Sequence, residues 1–185
     1  MTTQTQLRKG TAAEHAVFTG EMAEITVVTD TSPVQLRLHD GVTPGGVSVG
    51  GSKEIAAVPE SDLSVDGVLI TLQAGEALAF GDVCRIASDG KVVKANATTI
   101  STMPVALVAT ESMAADDSGL FLIQGIVRND AWTFTPGGRV YAGITAGTMT
   151  QTALSGSGQV VQVLGIATHA TRILFNPSMD TLELA

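Results

Sequence analysis

The sequence predicts an all-β protein, and three of its features point to this class. Thr, Val and Ile account for 23, 20 and 10 of the 185 residues, and β-branched residues favour strands over helices. Twenty glycines and six prolines supply turns between short apolar segments. The apolar periodicity of an amphipathic helix is nearly absent. We therefore expect an N-terminal β-hairpin arm followed by a β-sandwich or barrel.

Residues 1–50 are expected to form the first unit, the hairpin arm. Thr11 and Glu14 stand at the spacing of a capping box, which predicts one or two helical turns over residues 11–17. Alternating segments at residues 24–29 and 34–39 predict two strands joined by a turn at residues 30–33. A two-stranded ribbon is marginal in water, so the arm needs a partner surface. One face of its second strand carries Val34, Leu36 and Leu38.

Residues 51–61 are predicted to connect the arm to the rest of the chain. They are the last part of residues 41–61, a segment that is rich in Gly, Val and Ser and contains the Gly50-Gly51 pair. Two interpretations stay open, a linker or an extended arm that becomes ordered on a neighbouring chain.

Residues 62–185 are expected to form the β-sandwich or barrel, with short strands and turn signals between them. The Asp89-Gly90 dipeptide between two apolar segments is typical of a tight hairpin. The predicted strands are 68–73, 82–87, 91–95, 104–110, 119–126, 139–142, 148–152, 159–167 and 172–176.

The second unit also contains a weak internal repeat. Residues 105–110 resemble residues 163–168, and each segment follows a similar hairpin pattern. The two halves are therefore interpreted as copies of one hairpin-plus-strand unit. The matching hairpin positions are Gly81-Asp-Val83, Gly90 and Val92 in the first copy, and Gly138-Arg-Val140, Gly147 and Met149 in the second.

The composition excludes several classes of partner. Ten Lys and Arg against 18 Asp and Glu give a net charge of −8, whereas nucleic acids and anionic membranes select cationic surfaces. Only 15% of residues are charged, against about a quarter in a typical soluble domain. We therefore expect much of the surface to be covered by other chains. The apolar runs are too short for a membrane span and no signal-peptide segment follows Met1, so synthesis in the cytoplasm is expected.

The residues that could carry catalysis are few, and we expect no enzyme, no cofactor and no metal site. The lone Cys84 lies in an apolar alternation and is interpreted as a buried structural thiol. We interpret Asp116-Asp117 as part of a solvated turn rather than as a catalytic pair of carboxylates. His39-Asp40-Gly41 reads as a strand end followed by a turn rather than an acid–base pair.

Trp132 and Phe134 alternate along the chain and are expected to point to the same side. We favour core packing for both rings, because large aromatic residues are mostly well buried. The alternative is a candidate glycan contact.

Residues 6–46 carry a specific family resemblance. The segments are Gln6-Leu-Arg-Lys-Gly-Thr-Ala-Ala-Glu-His-Ala-Val-Phe-Thr-Gly20, Glu24-Ile-Thr-Val-Val-Thr-Asp30 and Leu38-His-Asp-Gly-Val-Thr-Pro-Gly-Gly46. They resemble a module at the N-terminus of many tailed-bacteriophage fibre and virion proteins, which is sometimes labelled after phage hyaluronate lyases. The chain departs from that pattern at Met22-Ala23, where the family usually has a glycine before the glutamate.

The second unit is similar, through softer motifs, to C-terminal β modules of phage head-decoration and fibre proteins. Together the two modules leave no room for a lyase domain, so enzymatic activity is not carried over. The motifs are found at residues 74–83, 89–95, 125–127, 136–141 and 163–167.

The resemblance implies a virion structural protein, and such modules are often homotrimeric. Our main interpretation is a capsid decoration (cement) protein on the outer surface of the phage head, in contact with the major capsid protein or other virion proteins. The alternative is a head or tail fibre subunit that binds a host-surface glycan. The predicted assembly surface comprises Leu7, Arg8, Lys9, Gly10, Thr11, Glu14, His15, Phe18, Gly20, His39, Asp40 and Gly41.

Overall fold

The structure, a computed structural model, describes residues 7–31, 34–49, 55–59 and 61–185. The chain divides into two compact units, Met1–Glu54 and Ile55–Ala185, and their regular structure is nearly all β, which confirms the predicted class. Residues 51–54 and 60 of the predicted linker lie outside the described residues, as do Ser32 and Pro33 of the predicted turn.

The first unit is a four-stranded sheet with one short helix. Strands β2 and β3 form the predicted hairpin, while β1 pairs in parallel with β2 and β4 pairs antiparallel with β3. The two outer strands were not predicted from the sequence. The elements are β1 (Arg8–Gly10), α1 (Ala12–Ala16), β2 (Ile25–Val28), β3 (Gln35–Leu38) and β4 (Val47–Val49).

Helix α1 begins at the predicted capping box. The Thr11 hydroxyl accepts the backbone N–H of Glu14 at 3.2 Å, and Glu14 Oε2 accepts the backbone N–H of Thr11 at 2.7 Å. The bonds from the Thr11 backbone and then its hydroxyl lower the pKa of the Glu14 carboxyl, because they favour its charged form. With five residues, the helix depends on this cap and on packing more than on helix propensity.

The second unit contains eleven of the strands that the structure describes. Each predicted strand has an observed counterpart, but the strand predicted over residues 159–167 is two strands separated at Gln162. The elements are β5 (Ser64–Gln73), β6 (Val83–Ile86), β7 (Val92–Lys94), a 3-10 turn (Ile100–Thr102), β8 (Leu107–Ala109), β9 (Ser118–Arg128), β10 (Arg139–Ala142), β11 (Met149–Thr150), β12 (Val160–Val161), β13 (Val163–His169), β14 (Arg172–Phe175) and β15 (Leu182–Glu183).

The main sheet of this unit repeats one pairing pattern twice. Its order is β11-β10-β13-β14-β9-β8-β6-β7, with β5 paired along β9. Strand β6 pairs with β7 and β8, and β10 pairs with β11 and β13, all antiparallel. On each side of the central β9–β14 pair, the sheet continues with one strand and then a hairpin: β8 and β6–β7 on one side, β13 and β10–β11 on the other. This symmetry is expected for two hairpin-plus-strand copies.

Strand β9 separates two apolar clusters. Phe121 faces one cluster and its neighbour Leu122 faces the other, and both side chains are fully buried. Covering both faces of one strand explains why β9 lacks simple apolar–polar alternation. Cys84 belongs to the same cluster as Phe121, so its prediction as a buried thiol is confirmed.

Gln162 explains the break between β12 and β13. Its side-chain amide accepts the N–H of Val105 at 2.8 Å and donates to the carbonyl oxygens of Val105 at 2.8 Å and Ser178 at 2.6 Å. The amide thus replaces a strand partner for Val105, and its own polar atoms are satisfied although Gln162 is 1% exposed.

Candidate functional site

One face of the first sheet carries a polar cluster, to which α1 contributes His15. The imidazole rings of His15, on α1, and His39, just after β3, are both buried. Their Nε2 atoms each lie 2.9 Å from the hydroxyl oxygen of Thr26, which is also buried. Two imidazoles and one hydroxyl therefore form a continuous hydrogen-bonded chain across the middle of the unit.

The outer contacts support one assignment of donors and acceptors in this series of hydrogen bonds. His15 Nδ1 lies 2.9 Å from the carbonyl oxygen of Thr11, which can only accept, so this nitrogen donates. His39 Nδ1 accepts the N–H of Gly20 at 3.2 Å, so His39 donates through Nε2. In this assignment the Thr26 hydroxyl accepts from His39 Nε2 and donates to His15 Nε2, so the hydroxyl and both imidazoles have partners.

Gly20 lies against the ring of His39. A Cβ atom at Gly20 would lie 2.6 Å from His39 Cγ. Two carbon atoms that are not bonded to each other do not approach this closely. A larger residue at this position would displace the imidazole and break the chain of hydrogen bonds.

Phe18 connects this cluster to the surface of the first unit. Its ring meets that of His39 edge-on, with centroids 5.2 Å apart. The guanidinium carbon of Arg8 lies 4.6 Å from the centre of the same ring, and Arg8 also pairs with Glu24 at 3.4 Å. Phe18 and Arg8 are thus engaged within their own chain, and their predicted role as assembly contacts stays a prediction.

Asp40 stabilises the turn that follows His39. Its carboxylate accepts the N–H groups of Val42 at 2.9 Å and Thr43 at 2.7 Å, and the Thr43 hydroxyl at 2.6 Å. These bonds, led by the one from the Thr43 hydroxyl, hold the pKa of Asp40 well below its ordinary value. Gly41 follows in the left-handed conformation, with φ of 81°. The segment is a strand end and turn, as predicted.

The opposite face of the first sheet is apolar and exposed. Residues that pair directly across strands share a face, and the pairs Ile25–Leu38, Val27–Leu36, Leu36–Val49 and Leu38–Val47 all lie on this side. Apart from the half-buried Val27, the side chains are between 40% and 63% exposed. We call this surface the apolar face; its members are Ile25, Val27, Leu36, Leu38, Val47 and Val49.

The remaining predicted assembly residues lie around β1. Lys9 is opposite Val27 in the parallel pair with β2, and Leu7 is exposed just before the strand. The carbonyl oxygen of Gly10 accepts the N–H and the hydroxyl of Thr29. Lys9 therefore shares the side of Val27, whereas the rest of the predicted set falls mainly on the covered side and edge of the sheet. The predicted assembly residues do not include the apolar face, although the sequence showed the alternation of Val34, Leu36 and Leu38 and the need of the arm for a partner surface.

The second unit contains a cleft of about 400 Å³ beside Trp132 and Phe134. The two ring centroids lie 5.4 Å apart with the planes tilted by 59°, which agrees with the expectation that both rings point to one side. Both rings pack against the larger apolar cluster and remain half-buried. They therefore contribute to the core and also line an open surface. The cleft also includes Phe80, Asp82, Thr133 and Met149.

The described part of the chain offers neither a metal-ligating cluster nor a membrane-spanning helix. In residues 7–31, 34–49, 55–59 and 61–185, no group of three His, Cys, Asp or Glu side chains is placed to hold a metal ion. Within the same ranges, no helix has the length and apolar character needed to cross a membrane.

The first unit is similar to a known domain of phage proteins. Residues 5–43 match the family model described as the Major tropism determinant N-terminal domain. The tail fiber receptor-binding protein of Bordetella phage BPP-1 is 36% identical over 112 residues, which are 60% of this chain and 28% of that protein. The chain therefore spans little more than a quarter of this relative. These matches confirm the resemblance to phage virion proteins of the fibre type.

Solved structures of two Major Tropism Determinant variants, M1 and P3c, also match. They are 19% and 21% identical to the chain, and each alignment covers 91% of the chain and 42% of the solved protein. The TM-score is 0.23 in both cases, which is too low to show a common overall fold.

Proposed function

We propose that the chain is a subunit of a phage virion fibre whose first unit assembles with copies of itself, with a homotrimer as the expected state. The observation that carries this proposal is the inverted sheet of the first unit. A half-solvated antiparallel sheet normally turns its apolar side inward. Here the covered side holds the His15–Thr26–His39 chain, while the apolar face is exposed.

Covering the apolar face would stabilise the first unit. Both clusters of buried apolar residues found in the described part of the chain belong to the second unit. Burying one Val, Leu or Ile side chain contributes about 1.5–3 kcal/mol, and six such residues make up the face. Covering the face would therefore add a substantial apolar interface to a unit in which Val28 is the strand residue of apolar character that is fully buried among the described residues.

The charge and shape of this surface support copies of the chain as its partner. The net charge of −8 opposes self-association wherever acidic surfaces would meet. The six residues of the apolar face carry no charge at all, so copies can meet there without bringing carboxylates together. Their alternating Val, Ile and Leu side chains can also interdigitate with those of an equivalent sheet.

The relatives support a fibre over the capsid decoration that was our main interpretation from the sequence. The BPP-1 relative is named as a tail fibre protein that binds a receptor, and nothing in the matched names indicates a head-surface protein. Neither matched name describes an enzyme, and we keep a non-enzymatic role as part of the proposal. Other virion proteins are the expected attachment partners.

The copy number in the virion tests this proposal. Purified particles are digested, and peptides of this chain and of the major capsid protein are quantified against isotope-labelled standards. A fibre predicts a few trimers per particle. One copy for each major capsid subunit, or one trimer at each lattice site, would overturn the fibre proposal in favour of decoration.

A further inference from the structure

We propose that the cleft beside Trp132 and Phe134 is a binding site for a neutral carbohydrate. Its aromatic walls, rigid backbone and charge-compensated acidic residue form a preorganised site for a ligand that has both apolar C–H faces and hydroxyl groups.

The aromatic wall is held in place by its backbone. The N–H of Trp132 donates to the carbonyl oxygen of Asn129 at 3.0 Å, and that of Phe134 donates to Ala170 at 2.8 Å. Phe80 provides a third half-buried ring at the same cleft. Since the inner sides of these rings pack on the apolar cluster, a ligand would not have to order them, which lowers the entropic cost of binding.

The polar part of the cleft is centred on Asp82. Its Oδ2 accepts the N–H of Ala79 at 2.8 Å and lies 3.1 Å from Lys94 Nζ. Gly147 closes over the same carboxylate, since a Cβ atom there would lie 2.6 Å from Asp82 Oδ1. The carboxylate is therefore fixed in position, with a small exposed part facing the cleft.

This combination favours a neutral polyhydroxylated ligand. The ion pair with Lys94 offsets the charge of Asp82, so the cleft offers neither a free anion for a cationic ligand nor a free cation for an anionic one. The overall charge of −8 further disfavours acidic glycans. Carboxylate oxygens and threonine hydroxyls bond to hydroxyl groups, while aromatic rings cover apolar C–H surface. The volume lies within the range of about 300–1,000 Å³ that is usual for ligand sites.

This inference deepens the proposed function and rests on it for its biological setting, because a fibre subunit meets the glycans of a cell surface. It can nevertheless fail separately. A fibre-like copy number without glycan binding would overturn the cleft assignment alone. Glycan binding with a copy number near that of the capsid protein would overturn the fibre alone.

The binding test uses an array of defined neutral and acidic oligosaccharides, followed by fluorescence titration with the free oligosaccharides that bind. Trp132 is the one tryptophan of the chain, so its emission reports directly on the cleft. We expect saturable binding of neutral oligosaccharides with a change in tryptophan emission. Binding of acidic oligosaccharides alone, or of none, would overturn the inference.

Three variants locate the site. Trp132→Leu removes the flat ring but keeps apolar volume, and Thr133→Arg places a large side chain over the cleft from an exposed position. Both are expected to weaken binding about tenfold or more, as removal or obstruction of an anchoring residue does. Tyr141→Ala removes an aromatic ring outside this cleft and is expected to bind normally. If Thr133→Arg folds with an unchanged circular dichroism spectrum and binds like the unmodified chain, the cleft is not the site.

Discussion

Leu36 and Val49 lie directly opposite each other on neighbouring strands of the first unit, yet they are 40% and 46% exposed. On the other side of the same sheet, Thr26 is fully buried and hydrogen-bonded to two histidines. The apolar pair is thus left to solvent while the hydroxyl is enclosed. This inversion connects the local structure of the first unit to its proposed assembly.

The hydroxyl of Thr26 is expected to hold the first unit together. Thr26→Val keeps the shape of the side chain but leaves two buried imidazole nitrogens without a partner, at a cost of about 1–3 kcal/mol for each unsatisfied group. Amide hydrogen exchange in peptides from β2 and β3 should become at least tenfold faster, because local opening becomes easier. Peptides of the second unit should not change. Thr26→Ser restores the hydroxyl, and equal exchange rates in the Val and Ser variants would contradict this role.

The side chain of Gln162 is expected to stabilise the second unit. Gln162→Leu leaves the N–H and carbonyl groups of Val105 unpaired inside the protein, so the free energy of unfolding should fall by about 2–4 kcal/mol. Denaturant unfolding followed by Trp132 fluorescence measures the change. The control is Gln73→Leu, which removes an exposed amide bonded to one backbone carbonyl and should cost less than about 1 kcal/mol. Similar losses in the two variants would show that burial of Gln162 does not matter.

Asp40 is expected to make the first unit sensitive to acid. Its pKa in the folded chain lies below the ordinary value of 3.8, so folding favours the charged carboxylate. The stabilisation is complete above pH 3.8 and is lost as the pH falls towards the folded-state pKa. Hydrogen exchange around residues 38–46 should accelerate on going from pH 5 to pH 2.5, after correction for intrinsic exchange. Asp40→Asn should flatten this dependence, and an unchanged profile in that variant would assign the acid sensitivity to other groups.

Cys84 is expected to be unreactive in the folded chain. Burial, with a smaller contribution from the Asp82 carboxylate, raises the pKa of its thiol to about 12, and the reactive species is the thiolate. At pH 8 a thiol-specific reagent such as iodoacetamide should modify the chain only after unfolding in guanidinium, as read by intact mass. Complete modification of the native protein within minutes would mean that the cluster around Cys84 opens easily.

Several elements could be predicted because their signals are local. The capping box is a signal of only four residues, Thr11 to Glu14, and it determines where α1 begins. The Asp89-Gly90 dipeptide is an equally short signal for a hairpin. The Asp89 carboxylate accepts the N–H of Lys91 between β6 and β7, and Gly90 adopts a left-handed φ of 85°. The internal repeat was visible for a related reason, since each copy repeats its own turn residues.

The inversion of the first sheet could not be read from the same pattern. Alternation separates Leu36 and Leu38 from Arg37, but it does not say which side α1 will cover. The side that is covered depends on the hydrogen bonds of His15 and His39 to Thr26, and these residues are 11 and 13 positions from Thr26 in the sequence. The split at Gln162 was missed similarly, because its partner Val105 is 57 residues distant. For Trp132 and Phe134, core and surface were treated as alternatives, whereas half-buried rings serve both.

The mass of the chain in solution tests the central claim most directly. Light scattering after size-exclusion chromatography should give three times the monomer mass of 18.9 kDa for the unmodified protein. Leu36→Asp, which places a charge at the centre of the apolar face, should give a monomer with an unchanged circular dichroism spectrum. Val17→Asp is the matched control, because Val17 is 82% exposed in the same unit and lies outside the face, so this variant should remain assembled. A monomeric unmodified chain, or a Leu36→Asp variant that keeps the assembled mass, would contradict the assignment of the apolar face as the contact between copies.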